Sequence, residues 1–196
     1  MAQAGDEIEN PVTGQRLIFL KTADETGGEL LEMESHYKPG GWPPALHYHP
    51  HQREHYQVIE GALTVLLDGR TLEFKSGDTF VIEPGQIHEM WNQGLEWTRV
   101  NWQVRPAMRT AELFETAFGL AADGKVNARG IPNPMQISVM VPEFDREFRL
   151  AQPPRIVQKI LFGVLGPVAR LMGYQGTYAT NRDSRAGAIA RTSISG

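Results

Sequence analysis

The 196-residue chain has no cysteine. Disulfides, thiolate ligands and a cysteine nucleophile are therefore excluded, and any metal held here takes nitrogen and oxygen donors. Cysteine-free composition is also in keeping with a reducing compartment. Long hydrophobic runs are missing too. The most apolar stretch, 156–172, is interrupted by Lys159, two glycines, Pro167 and Arg170, so no membrane span is expected. Basic excess is absent: 19 Lys and Arg face 23 Asp and Glu, for a formal net charge of −4. With no basic stripe interleaved with aromatics and no helix-turn-helix pattern, no nucleic-acid partner is expected. The opening MAQAGDEIENP is acidic and lacks the apolar run of a signal peptide, which makes the cytoplasm the expected location. Neither an internal repeat nor a heptad run is seen.

What is present is an ordinary globular composition, 41% hydrophobic and 21% charged, enough for one core and a modest extension. Residues 1–14 read as a polar lead-in and 15–21 as a first strand. In 29–37, Leu31, Met33, Ser35 and Tyr37 share one face, with Glu32, Glu34 and His36 on the other, so His36 is expected in solvent. The Pro/Gly-rich 38–44 is loop. Further strands are predicted over 47–49, 54–60, 62–67, 72–74, 79–83, 87–91 and 96–104. Asp68-Gly69 is a two-residue hairpin signal. Short strands punctuated this evenly, without helices between them, predict an all-β antiparallel sandwich or barrel.

After Pro106 the pattern turns helical. Helices are predicted over 111–121, capped by Thr110, over 135–147, and over 155–165, the last kinked at Gly166-Pro167 before continuing through 168–172. This divides the chain into a β domain at 1–107 (core 29–105), a helical extension at 108–180 and a flexible tail at 181–196. The helices are expected to pack outside the β core; a lid over a pocket mouth or a membrane-surface helix is the alternative.

Five of the six histidines lie between Gly41 and Asn92. His47 and His49 are two apart, so on a strand their rings point to one side. Glu54 shares a face with Tyr56 and Val58, and His88 shares one with Met90. A carboxylate and a third imidazole from neighbouring strands would complete a four-ligand set for a metal. His55 has the opposite parity and His51 falls in the tip at 50–53, so both are expected at the rim or surface.

Two motifs then resemble the cupin superfamily. Gly41-x5-His47-x-His49-x4-Glu54-x6-Gly61 follows the first cupin motif at every fixed position. Gly77-x7-Gly85-x2-His88-x3-Asn92 follows the second, except that the family's proline is Glu83 here, with Pro84 one place later. The resemblance covers 29–105 and is to compact, single-domain, metal-binding cupins; the helical part lies outside it. It implies a double-stranded β-helix, or jelly-roll barrel, with His47, His49, Glu54 and His88 as ligands of a divalent transition metal: Fe, Mn, Ni, Cu, Co or Zn.

The resemblance further implies a small-molecule substrate or ligand. The expected activity is that of a metal-dependent dioxygenase-type oxidoreductase, in which Glu54 could detach and take a proton. A metal-dependent isomerase and a non-catalytic ligand-binding cupin are the alternatives; a sugar-nucleotide epimerase fits less well, because such cupins generally lack the metal set. Tyr56, Met90 and Trp102 are candidate pocket walls, with Met33 and Leu31 behind them. On the last strand the drier face of Thr98, Val100, Trp102 and Val104 is expected inside; were the other face inside, Arg99 would be placed to hold an anionic substrate. Trp42 is a candidate entrance residue. A homodimer is expected, paired through sheet edges or the apolar C-terminal helix.

Overall fold

The computed structural model describes residues 2–178. The flexible tail expected at 181–196 lies outside them. Eleven strands and three helices follow in order. The strands are β1 (Glu7–Glu9), β2 (Arg16–Lys21), β3 (Leu31–Tyr37), β4 (His47–Tyr48), β5 (Arg53–Glu60), β6 (Ala62–Leu67), β7 (Arg70–Lys75), β8 (Thr79–Ile82), β9 (His88–Trp91), β10 (Thr98–Arg105) and β11 (Arg149–Leu150). Helices α1 (Thr110–Ala122) and α2 (Pro134–Glu143) precede β11, and α3 (Arg155–Leu171) follows it.

Two antiparallel sheets form a jelly-roll β-sandwich. One has the order β1-β2-β3-β10-β5-β8 and the other β11-β4-β9-β6-β7. Alternation decides which side chains fill the space between them. β3 buries Leu31, Met33, Ser35 and Tyr37, and β10 buries Thr98, Val100, Trp102 and Val104, the faces read as dry from the sequence. With Tyr56, Val58, Leu63, Val65 and Ile82 these make one continuous core. His36 is half-buried rather than solvated: Glu34 accepts from its ring at 2.8 Å, and Arg16 lies on its other side.

The turns follow their residues. At the β6–β7 hairpin Asp68 and Gly69 both have positive φ, 46° and 80°, as a tight turn matched to strand twist requires. Gly61, between β5 and β6, has φ 75°, and a Cβ there would stand 2.6 Å from the Trp97 carbonyl oxygen. Glycine is required twice over, by conformation and by space. Gly61→Ala is expected to destabilise the fold by about 1–3 kcal/mol, the usual range for a strained backbone position; a chemical-denaturation midpoint unchanged from that of the natural chain would contradict this.

Three helical expectations need correction. Thr110 does not cap α1; the N-cap position is Arg109, and the Thr110 hydroxyl instead accepts from buried Gln52 at 2.7 Å. α2 ends at Glu143, short of 147, and its cap is Asn133, whose side chain accepts from the Gln136 amide. The residues beyond it turn back to lay β11 against β4, pairing Leu150 with His47 and Arg149 with Tyr48. α3 runs without a break through Pro167; Pro167 and Gly163, whose carbonyl loses its helical partner, are both exposed, so water can satisfy that carbonyl. β1 and β11 were not legible as strands, and β11 makes the helical segment a contributor to the sandwich itself.

Candidate metal centre

The short strand β4 lies between β9 and β11, and His47 is directly opposite His88 in the register. His47, His49 and His88 each bring a ring nitrogen to within 4.8 Å of the others. Glu54 enters from β5 in the facing sheet and is completely buried. One of its carboxylate oxygens is 3.4 Å from His49 Nε2 and the other 3.3 Å from His88 Nε2.

The second nitrogen of each ring decides what the first can do. His47 Nδ1 contacts the Ala45 carbonyl at 2.7 Å, His49 Nδ1 the Glu147 carbonyl at 2.6 Å and His88 Nδ1 the Gln86 carbonyl at 3.0 Å. A carbonyl only accepts, so all three Nδ1 atoms carry protons, and in the neutral rings all three Nε2 atoms present lone pairs. Backbone anchoring of the outer nitrogen is the usual support of a metal-ligating histidine. His49 Nε2, His88 Nε2 and one Glu54 oxygen are buried without a hydrogen-bond partner among the described residues.

Lone pairs and a carboxylate turned toward one another repel unless something positive lies among them. A shared proton would draw the atoms to about 2.7–2.9 Å, the length of a charge-assisted hydrogen bond. The 3.3 and 3.4 Å separations are longer than that. They match ligand atoms each about 2.1 Å from one ion, which puts neighbouring ligands roughly 3.0–3.4 Å apart. The donor set of three imidazoles and a carboxylate therefore fits a divalent transition metal.

Charge within the site follows from burial. Burial and the neighbouring His88 and His49 hold the His47 pKa well below its ordinary value. Burial also opposes charge on His88, but the Glu54 carboxylate outweighs it and raises the His88 pKa. Burial pushes the Glu54 pKa upward, yet His49, His88 and Tyr56 together bring it below the ordinary carboxylate value. In metal-free protein, NMR is thus expected to show His88 titrating above about 6.5 and His47 remaining neutral well below it; the reverse order would contradict this electrostatic arrangement.

Around these groups lies a cavity of about 240 Å³. Tyr56, Met90 and Trp102 line it as expected. Trp102 Nε1 also donates to Glu54 at 3.1 Å and fixes that carboxylate. The helical segment adds much of the apolar wall, with Leu113, Phe114 and Phe118 from α1, Ile137, Met140 and Val141 from α2, and Phe148, while Asn10, Gln15, Lys38 and Asn92 add polar groups from the N-terminal part and the β core. Phe148 stacks on His47, with ring centroids 4.8 Å apart. α1 and α2 therefore close over the pocket, the alternative to simple packing on the outside. Trp42 lines the mouth, where the Arg129 guanidinium lies 5.4 Å from its ring centre.

Other expectations fall elsewhere. Arg99 is on the outer face of β10, paired with Glu34 at 3.3 Å and Glu60 at 2.5 Å, and does not line the cavity. Strand alternation requires this once Trp102 and Val100 point inward. Leu31 and Met33 lie in the core without reaching the cavity. His51 is exposed and His55 points out of the sandwich. Glu83 pairs with Arg53 at 2.9 Å in an exposed position away from the pocket. The motif's Asn92 is structural: its amide donates to the Tyr37 and Glu96 carbonyls, and its oxygen accepts from the Gly94 amide. Sequence reasoning missed the Glu147 carbonyl and Phe148. A backbone acceptor leaves no side-chain signal, and Phe148 lies outside both motifs.

Residues 33–102 match the family described as the cupin domain. Over those residues the chain carries a cupin domain. Among curated proteins, the tetracenomycin polyketide synthase protein TcmJ of Streptomyces glaucescens is 30% identical over 88 residues, covering 45% of this chain and 52% of TcmJ. The chain thus spans about half the length of the curated relative it matches. A sugar phosphate isomerase of the cupin superfamily from Silicibacter pomeroyi has a TM-score of 0.45 at 20% identity, covering 51% of this chain and 70% of that one. KdgF from Halomonas sp. has a TM-score of 0.43 at 17% identity, covering 50% and 84%.

Proposed function

We propose that this cupin is a metal-dependent enzyme of the dioxygenase type acting on a small, largely apolar and aromatic organic molecule. The observation that carries this is the convergence of three lone-pair imidazole nitrogens that line an aromatic-walled cavity on the Glu54 carboxylate buried behind them. His47, His49, Glu54 and His88 would hold the ion. When bound, such an ion supplies Lewis acidity toward an enol or phenol oxygen and, if redox-active, a route for electrons to O₂.

The chain's own residues set the rest. Met90, Phe114, Phe118, Met140 and Phe148 exclude water and favour a flat apolar ring. Glu54 is the carboxylate that takes a proton from a bound hydroxyl, and Trp102 Nε1 holds its other oxygen in place. Burial, followed by the charge of Glu54, raises the Tyr56 pKa well above normal, so Tyr56 remains a neutral phenol able to donate to the substrate. The hydroxyl makes no hydrogen bond of normal geometry among the described residues, although it lies close enough to Glu54 for each to shift the other's pKa. A polyketide synthase protein among the relatives accords with a carbon-skeleton substrate.

The test is oxygen uptake by metal-reconstituted protein across a panel of phenols and enols. Substrate-dependent uptake that Glu54→Gln lowers about 10²–10⁴-fold, the usual worth of a positioned proton acceptor, supports the proposal. Conversion of substrate to an isomer without oxygen uptake would replace it with an isomerase. Saturable binding without turnover would make the protein a ligand-binding cupin.

A further inference from the structure

α3 is amphipathic the wrong way round for a helix docked by its apolar side. Its buried residues are Gln158, Gly166 and Ala169. Gln158 anchors it, donating to the Leu150 carbonyl at 3.0 Å and to that of Pro153 at 2.6 Å. Facing away from the protein are Ile156, Val157, Ile160, Leu161, Val164, Val168, Leu171 and Met172. Ile160, Val164 and Leu171 are 64%, 65% and 90% exposed. At 100° per residue this arc spans close to half the helix circumference along its whole length.

The charges on the helix itself are of one sign. Residues 155–172 contain Arg155, Lys159 and Arg170 and no acid. Arg155 is paired with Asp145 at 2.9 Å. The side chains of Lys159 and Arg170 make no ion pair or hydrogen bond with described residues, and both line a groove of about 480 Å³ between α2 and α3. Lys159 and Arg170 fall on the same flank of the apolar arc by helical phase.

We propose that α3 rests on an anionic phospholipid surface, with its outer apolar arc at the acyl boundary and Lys159 and Arg170 against the lipid phosphates. An apolar arc flanked by cations and free of acids is the pattern of a helix lying in the membrane interface. A second copy of this chain fits less well. A helix of 17 residues offers a strip about 26 Å by 10–12 Å, roughly 300 Å², against about 800 Å² per partner in a stable dimer. Pairing two such helices would also bring like charges together. Residues 179–196 carry only Ile189 and Ile194 as large apolar side chains, too few to match the arc. Among the described residues no helix is long and apolar enough to cross a membrane, so the contact is superficial.

The experiment is co-sedimentation of the full chain with phosphatidylcholine vesicles, with and without phosphatidylglycerol, at two salt concentrations, alongside sedimentation velocity without lipid. Binding is expected to require phosphatidylglycerol and to weaken with salt. Lys159→Glu/Arg170→Glu should weaken it by about 30-fold or more, roughly fivefold per lost cation. Ile160→Glu/Val164→Glu should abolish it. All four positions are exposed, and unchanged circular dichroism and thermal midpoint identify folded variants. Absence of binding to phosphatidylglycerol vesicles, or binding that both variants retain, overturns the proposal. So does a dimer in the absence of lipid that Ile160→Glu/Val164→Glu dissociates while vesicles are not bound; that face would then belong to a second copy.

Discussion

A chain ending at Ala107 is expected to bind the site's metal about 100-fold more weakly than the full chain, measured by competition with a chelator. It retains all four ligand side chains but loses what fixes two of them. The His49 Nδ1 proton loses the Glu147 carbonyl, and His47 loses both the stacked Phe148 ring and its strand partner Leu150. Loss of such outer partners costs metal sites about 10–100-fold, and opening the cavity to water places this case at the upper end. Circular dichroism shows whether the shortened chain keeps its sheets. In the full chain, Phe148→Ala reads one of the same contacts and should give a smaller loss in the same direction. Equal affinity in the folded short chain would mean that the barrel alone makes the site.

Phe144→Ala should lower stability by about 3–5 kcal/mol in chemical denaturation, the usual loss for a fully buried aromatic ring. Phe144 is completely buried in a small second core with Leu113, Leu120 and Met140, and Phe148 packs against that cluster. The Arg109 guanidinium also lies 4.9 Å from the centre of its ring. This core joins α1 to α2 and sets the path of the chain into β11. Metal affinity should therefore fall together with stability. A loss below about 1 kcal/mol would mean that the cluster collapses around the missing ring, and that the lid is held chiefly by the main core.

The sandwich was legible because alternation and turn chemistry act locally. Tyr56 and Val58, two residues apart, could be assigned to a face without any partner in view, and Asp68-Gly69 needs no tertiary support to turn. The ligand side chains were legible for the same reason, each with a motif position and a strand parity. The tertiary parts were not. β11 is two residues long and carries no alternation to detect; only its pairing with β4 makes it a strand. Thr110 has good capping chemistry, but Gln52, far away in sequence, takes its hydroxyl. The apolar stripe of α3 was read correctly, yet periodicity says only that one side is apolar, not whether that side faces the core. Here the polar Gln158 is buried and Ile160 is not.

The central claim is that His47, His49, Glu54 and His88 hold one metal ion. Elemental analysis of untagged protein, beside a His49→Ala/His88→Ala double variant, tests it most directly. Near one equivalent of a divalent transition metal in the natural chain, lost in a variant that remains folded, is the predicted result. No metal in the natural chain even after reconstitution, or the same content in the variant, would contradict it and leave the four converging groups needing a different positive partner.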